Sequence, residues 1–234
     1  MAIRMCVVWG HRAVNLALGC WILLAGITVS VAVVLTWKRS RSWVAVARRL
    51  GFQYQASATP FAATDIRGLT VLDGDDLTTV TNVLQGSHHN FPFIIFDLPV
   101  CNASTEMMMM STAAAFRCHR RMPMLQIATK SVLDRLGEAL THKPCLELDH
   151  DFAKHFIVSC TDQRQTRDFL TPQRVQHLSL HANHFRIESS PDWLLIYQPG
   201  VTVKPSGLAD FIEKTTLIAS GLLPTEPVPL PISA

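Results

Sequence analysis

From Ala13 to Trp37 the chain runs 25 residues without an Asp, Glu, Lys or Arg. As an α-helix rising about 1.5 Å per residue, such a stretch exceeds the roughly 30 Å hydrocarbon core of a bilayer. A chain that carries it is expected to divide into a part solvated by lipid and a part solvated by water. Arg4 and Arg12 precede the stretch, and Lys38, Arg39 and Arg41 follow it. The reading is a short N-terminal segment over 1–12 and one N-terminal transmembrane helix over 13–37. Trp37, Lys38, Arg39 and Arg41 are the expected membrane-interface residues, because an indole favours the headgroup boundary and cations meet anionic headgroups.

A cleaved signal peptide is the rival reading. Its apolar region is about 7–15 residues long and ends at a small-x-small site. Here the run is longer and ends in Val-Val-Leu-Thr-Trp before a basic cluster. Two basic residues lie before the span and five lie over 38–49. That bias predicts a single-pass protein of the cell inner membrane with residues 38–234 in the cytoplasm.

The formal charge of +3 conceals an uneven distribution. No acidic residue precedes position 50, and residues 50–234 hold 14 basic and 18 acidic groups, a net of −4. An acidic domain lacks the electrostatic footprint of a nucleic-acid binder, so no nucleic acid is expected as partner. Cys101, Cys118, Cys145 and Cys160 are scattered without a Cys-x-x-Cys pair. Free thiols in a reducing compartment are expected, rather than a zinc knuckle or a disulfide framework.

Residues 38–51 read as a basic juxtamembrane helix with Trp43, Val44, Val46, Ala47 and Leu50 apolar and Gly51 as its stop. Residues 52–222 read as a soluble domain. Strands are expected at 69–72, 79–84 and 91–98, the last two joined by a turn from Gly86 to Asn90, with Pro92 near a strand start where a missing donor costs least. A loop over 99–110 is expected to end in Met107 to Met110, packed over the sheet. A strand pair is expected at 112–118 and 124–128, and a short helix or loop at 129–140. A strand over 155–160 precedes two helix starts, Asp162 as an N-cap and Thr171-Pro172 as another. A hairpin is predicted from 185–188 and 193–197. A final helix opens at Ser206, buries Leu208, Phe211, Ile212, Thr215 and Ile218, and stops at Gly221. The tail over 223–234, with prolines at 224, 227, 229 and 231, is expected to be extended and disordered.

This order of elements resembles that of many bacterial single-pass membrane proteins of unknown function, which combine an N-terminal span, a short basic helix and one α+β domain. The residues that carry the likeness are Leu50-Gly51-Phe52, Asn82-Val83-Leu84-Gln85-Gly86, Ile95-Phe96-Asp97, Leu148-Asp149-His150-Asp151-Phe152, Phe169-Leu170-Thr171-Pro172 and Trp193-Leu194-Leu195-Ile196-Tyr197. The resemblance implies a fold arrangement and a membrane setting, and it carries over no catalytic residue. After Asp97 this chain departs from it, with four methionines in place of a polar, basic stretch.

Reactive constellations are sparse. His177, His181 and His184 stand at offsets of four and seven, which on one continuous helix would align three imidazoles for zinc or nickel. The strand predicted from Phe185 ends that helix near His181. Glu147, Asp149 and Asp151 share one side of an extended segment and suit a divalent cation or acid–base chemistry. A solvated turn before a helix, with Asp149 or Asp151 capping it, is the preferred reading. Cys118 sits beside His119 and two arginines, but strand neighbours point to opposite faces. Neither a Gly-x-Ser-x-Gly elbow nor a phosphate-binding glycine loop is present.

The fold class expected is therefore α+β, an antiparallel sheet with packed helices, preceded by one transmembrane helix. The function expected is a non-catalytic interaction or ligand-sensing module at the membrane, with no cofactor. Its partners would be the lipid bilayer and a membrane or cytosolic protein. The alternative is a membrane-bound, metal-dependent hydrolase using Asp149, Asp151 and the histidines at 177, 181 and 184.

Overall fold

Phe93 to Leu98 are buried without a break, so the strand that holds them is covered on both faces. The computed structural model describes residues 37–58, 80–101, 108–118, 121–130 and 150–223, with positions 21, 23–28, 30, 34, 69, 146 and 148. It comprises two units, Met1–Trp43 and Val44–Ala234. Most of the expected span over 13–37 lies outside the described residues. No helix among the described residues is long and apolar enough to cross a membrane. Within the first unit residues 37–43 are helical, and the Arg41 guanidinium lies 3.5 Å from the Trp37 ring centroid.

The second unit opens with helical residues 44–50 (α1), closed by Gly51 at φ 74°. Only a residue without a Cβ takes that left-handed angle at little cost. The sheet follows as β1 (Gln53–Ala58), β2 (Val80–His88), β3 (Phe91–Cys101), β4 (Met108–Arg117), β5 (Leu125–Thr129), β6 (Phe156–Cys160), β7 (Arg186–Ser189) and β8 (Trp193–Tyr197). The helices are α2 (His150–His155), α3 (Gln163–Phe169), α4 (Pro172–His181) and α5 (Leu208–Leu222), the last preceded by a 3-10 turn over Pro205–Gly207. All pairings are antiparallel, in the order β1-β2-β3-β4-β8-β7-β5-β6. The α+β class with an antiparallel sheet and packed helices is thus the observed one.

Several expectations are corrected. The predicted pair at 112–118 and 124–128 does not form: β4 lies between β3 and β8, and β5 between β6 and β7. Segment length and apolar content showed two strands but not their partners. The expected loop over 99–110 is shorter, because β3 runs to Cys101 and β4 starts at Met108. Met109 and Met110 lie in β4 rather than in a loop and are exposed by 40% and 45%, with the Met109 side chain against Gly200, while Met107 lies outside the described residues. The β2–β3 turn is only His89-Asn90, at φ 49° and 66°. Gly86 to His88 belong to β2. A two-residue turn with both φ positive matches strand twist but strains any residue with a Cβ. The double substitution H89N/N90G is expected to raise stability by about 1 kcal/mol, read as a higher thermal midpoint.

One face of the sheet is a cluster of Leu69, Val80, Val83, Ile94, Phe96, Leu98, Val100, Ala113, Ala115, Trp193, Leu195 and Tyr197. No residue of α5 belongs to it; α5 lies against β2, β4 and β8 and covers the other face. On that face Phe52 packs edge-on against Phe93 and fills the space over Gly86, where a Cβ would collide with its ring.

Gly221 does not stop the last helix, which continues to Leu222. It marks instead where α4 and α5 approach. A Cβ at Gly221 would collide with the His177 ring, and His177 Nε2 lies 2.9 Å from the Leu217 carbonyl. Gly221→Ala is expected to cost about 1–3 kcal/mol by overpacking, and His177→Ala to relieve most of that loss in the double variant. Urea midpoints of the four forms measure both statements.

Candidate functional site

After β6, Asp162 accepts the Gln165 N–H at 3.0 Å and starts α3. Two residues past its end, Thr171 accepts the Arg174 N–H at 3.5 Å and starts α4, with Pro172 in the first turn. The chain therefore turns a corner at Leu170-Thr171. Arg174 braces that corner, donating to the Phe169 carbonyl at 2.7 Å with its guanidinium 4.2 Å from the Phe169 ring. Burial lowers its pKa.

Beside this corner lies a cavity of about 910 Å³ between α2, α3 and α4. Leu148, Phe152, Leu170, Pro172 and Val175 form its apolar lining, and Asp151, His155, Arg167, Thr171, Gln176 and Ser179 its polar part. Phe152 stacks on Phe156 with centroids 4.7 Å apart, which fixes one wall. A second cavity of about 530 Å³ lies between the end of α4, the turn after it and α5, and takes in His181, His184, Asp210 and Lys214 over Phe185 and Phe211.

The sequence candidates separate accordingly. His177 and His181 are neighbours, with ring centroids 4.7 Å apart. The carbonyl of Leu217 can only accept, so His177 Nε2 carries the proton and donates it there. His184 has left the helix for a turn at φ 69°. Asp151 sits in the first turn of α2, paired with Lys154 at 2.7 Å, and that hydrogen bond holds its carboxyl below the usual range. Asp151 thus lines one cavity and His181 and His184 the other. Glu147 and Asp149 lie outside the described residues. Among the described residues no group of three or more His, Cys, Asp or Glu side chains is placed to hold a metal ion.

Cys118 is buried, with Sγ 3.1 Å from Met122 Sδ. Burial, and then the charge of Asp192, push its thiol up to about 12, the opposite of a reactive thiolate. A pKa raised on folding stabilises the fold below the ordinary thiol pKa and ceases to do so as pH climbs toward the raised value. Stability is therefore expected to decline from about pH 9 upward, and Cys118→Ala to flatten that decline in thermal melts taken across the alkaline range.

The cavity-lining set of His155, Arg167, Leu170 and Val175 was not singled out in the sequence. Its only signals were the two caps, which fixed where α3 and α4 begin but not that their corner would leave space beside α2.

No protein family and no curated protein matches the chain. Its fold, however, has a solved counterpart. The structure is similar to that of the mycobacterial trehalose monomycolate transport factor A, TtfA, with a TM-score of 0.53 at 17% identity, covering 83% of this chain and 98% of that one. At that identity the likeness is one of fold.

Proposed function

We propose that this chain is a membrane-tethered, non-catalytic module whose α+β domain binds a ligand or partner at the inner face of the membrane. The observation that carries the reading is the fold shared with the solved chain of a transport factor over nearly all of that chain. The uncharged run from Ala13 to Trp37 and the basic cluster after it supply the tether. Confinement to the bilayer raises the domain's effective concentration for membrane partners. The separation of Asp151 from the histidine cavity argues against the hydrolase alternative, which needs them together.

The test uses full-length chain with Cys160, a half-buried thiol, as its only cysteine. It is expected to stay with membranes through an alkaline carbonate wash, and to react with an impermeant maleimide only after permeabilisation. Release by carbonate overturns the tether, and labelling in intact cells places the domain outside. Hydrolysis of a model ester or phosphate by the purified chain with added zinc, abolished by His181→Ala, would replace the non-catalytic reading with the enzymatic one.

A further inference from the structure

The cavity at the α3–α4 corner has a chemistry that narrows its ligand. Phe152, Leu170 and Val175 are buried. Among the described residues of the domain, the exposed large apolar side chains are Met109, Met110, Leu180, Val201 and Leu217, and none of these lines this cavity. Phe152, Leu170 and Val175 thus form its floor, with Leu148 half-buried and Pro172 exposed beside the polar side chains, an apolar pocket with a few polar groups as in small-molecule sites. At about 910 Å³ it also falls within the size of such sites.

Two of the polar side chains in the lining already hydrogen-bond the backbone of α4. Thr171 Oγ1 accepts from the Arg174 N–H, and Ser179 Oγ donates to the Val175 carbonyl at 2.9 Å. A ligand body seated there needs no hydrogen-bonding atoms, and a hydrocarbon meets that condition at no desolvation cost. Of the charged side chains lining the cavity, Asp151 is neutralised by Lys154. Arg167 on α3 and His155 on α2 are basic, and α4 contributes only Gln176 and Ser179. An anionic head beside a hydrocarbon body is the complementary ligand.

We propose that this cavity binds one acyl chain bearing an anionic head group, either a free fatty acid or a lysophospholipid drawn from the bilayer. The inference goes beyond the proposed function, which names no ligand, and it stands or falls independently of membrane topology.

The test photolabels the full-length chain in phosphatidylcholine nanodiscs. One arm adds a diazirine-bearing palmitic acid in solution, and the other incorporates the corresponding lysophosphatidic acid into the bilayer. Labelling is expected on peptides within 148–179, from the free acid, the bilayer lipid or both. Ser179→Trp or Gln176→Trp at the rim is expected to reduce it about tenfold, while Ser220→Trp on the exposed side of α5 leaves it unchanged. Arg167→Glu is expected to weaken labelling, and unlabelled palmitate to compete where hexadecanol does not. Labelling spread over the whole chain, or undiminished in both tryptophan variants with unaltered melting curves, overturns the site. Equal competition by hexadecanol overturns the anionic head.

Discussion

Arg186→Ala is expected to destabilise the domain by about 2–4 kcal/mol, nearly as much as breaking a buried ion pair. Glu188 is completely buried on β7, and Arg186 Nε lies 3.2 Å from its Oε1. Arg186 also donates to Gln126 Oε1 at 3.2 Å, and Tyr197 donates its phenol to Glu188 at 2.7 Å. Removing the cation leaves a carboxylate in the interior to which the Tyr197 hydroxyl still donates, and its desolvation is offset less fully. Arg186 keeps 30% of its side chain exposed, which places the loss at the lower side of the range for dry pairs. The double variant R186M/E188Q is expected to regain most of the stability, because a neutral amide leaves no charge to solvate and its oxygen still accepts from the Tyr197 hydroxyl. Pulse proteolysis in urea on the parent, R186M, E188Q and the double variant gives the cycle. A single-variant loss under about 0.5 kcal/mol would show the pair to be inert. Burial and the Glu188 charge raise the Tyr197 pKa, so the phenol remains a donor throughout the working range of such an experiment.

The second large effect is expected at Asp97. Its carboxylate, buried in β3, accepts from Asn82 Nδ2 at 2.9 Å and from Thr112 Oγ1 at 2.6 Å. Tyr54 donates to Asn82 Oδ1 at 3.0 Å, and the Val203 N–H donates to Thr112 Oγ1 at 2.9 Å. One hydrogen-bonded line thus joins β1, β2, β3, β4 and the segment after β8. Asp97→Ala deprives two buried donors of their acceptor, at about 1–3 kcal/mol each, and is expected to cost about 3–5 kcal/mol in all. Asp97→Asn is expected to cost about 1 kcal/mol. The Thr112 hydroxyl can rotate to accept from the new amide, while the amide oxygen still serves Asn82. Hydrogen exchange at the Val203 amide distinguishes the two, rising sharply in the alanine variant and little in the asparagine one. Equal urea midpoints for Asp97→Ala and the parent would remove the line as a source of stability.

These contacts explain what the sequence did and did not disclose. The short pieces carrying the family resemblance fall on structural devices: Gly51 and Phe52 on a helix stop and the ring over Gly86, Asn82 and Asp97 on one hydrogen bond, Thr171-Pro172 on a cap. Caps and the 185–197 hairpin were legible because their physics is local. Strand partners were not, because β4 pairs with β8 across the intervening β5, β6 and β7, and no residue spacing encodes that choice. Gly221 looked like a stop because glycine ends helices more often than it accommodates an imidazole from a neighbouring one. The cavity was illegible for a related reason. It is lined by residues that each look like ordinary core or surface, and only the corner between two caps places them around a common space.

The β4–β8 junction also bears on how the chain is made. Ala113 pairs with Tyr197 and Arg117 with Trp193, so β4 waits for a partner that the ribosome adds roughly 80 residues later. At about 5–20 residues per second that is a delay of several seconds. During it the β1–β4 meander can already zip from neighbour to neighbour, while the apolar far edge of β4, Ala113-Ala114-Ala115-Phe116, stays open to any passing strand. Newborn chains are therefore most exposed to mispairing in that interval, and a chaperone that shields a single sheet edge would be sufficient to protect them.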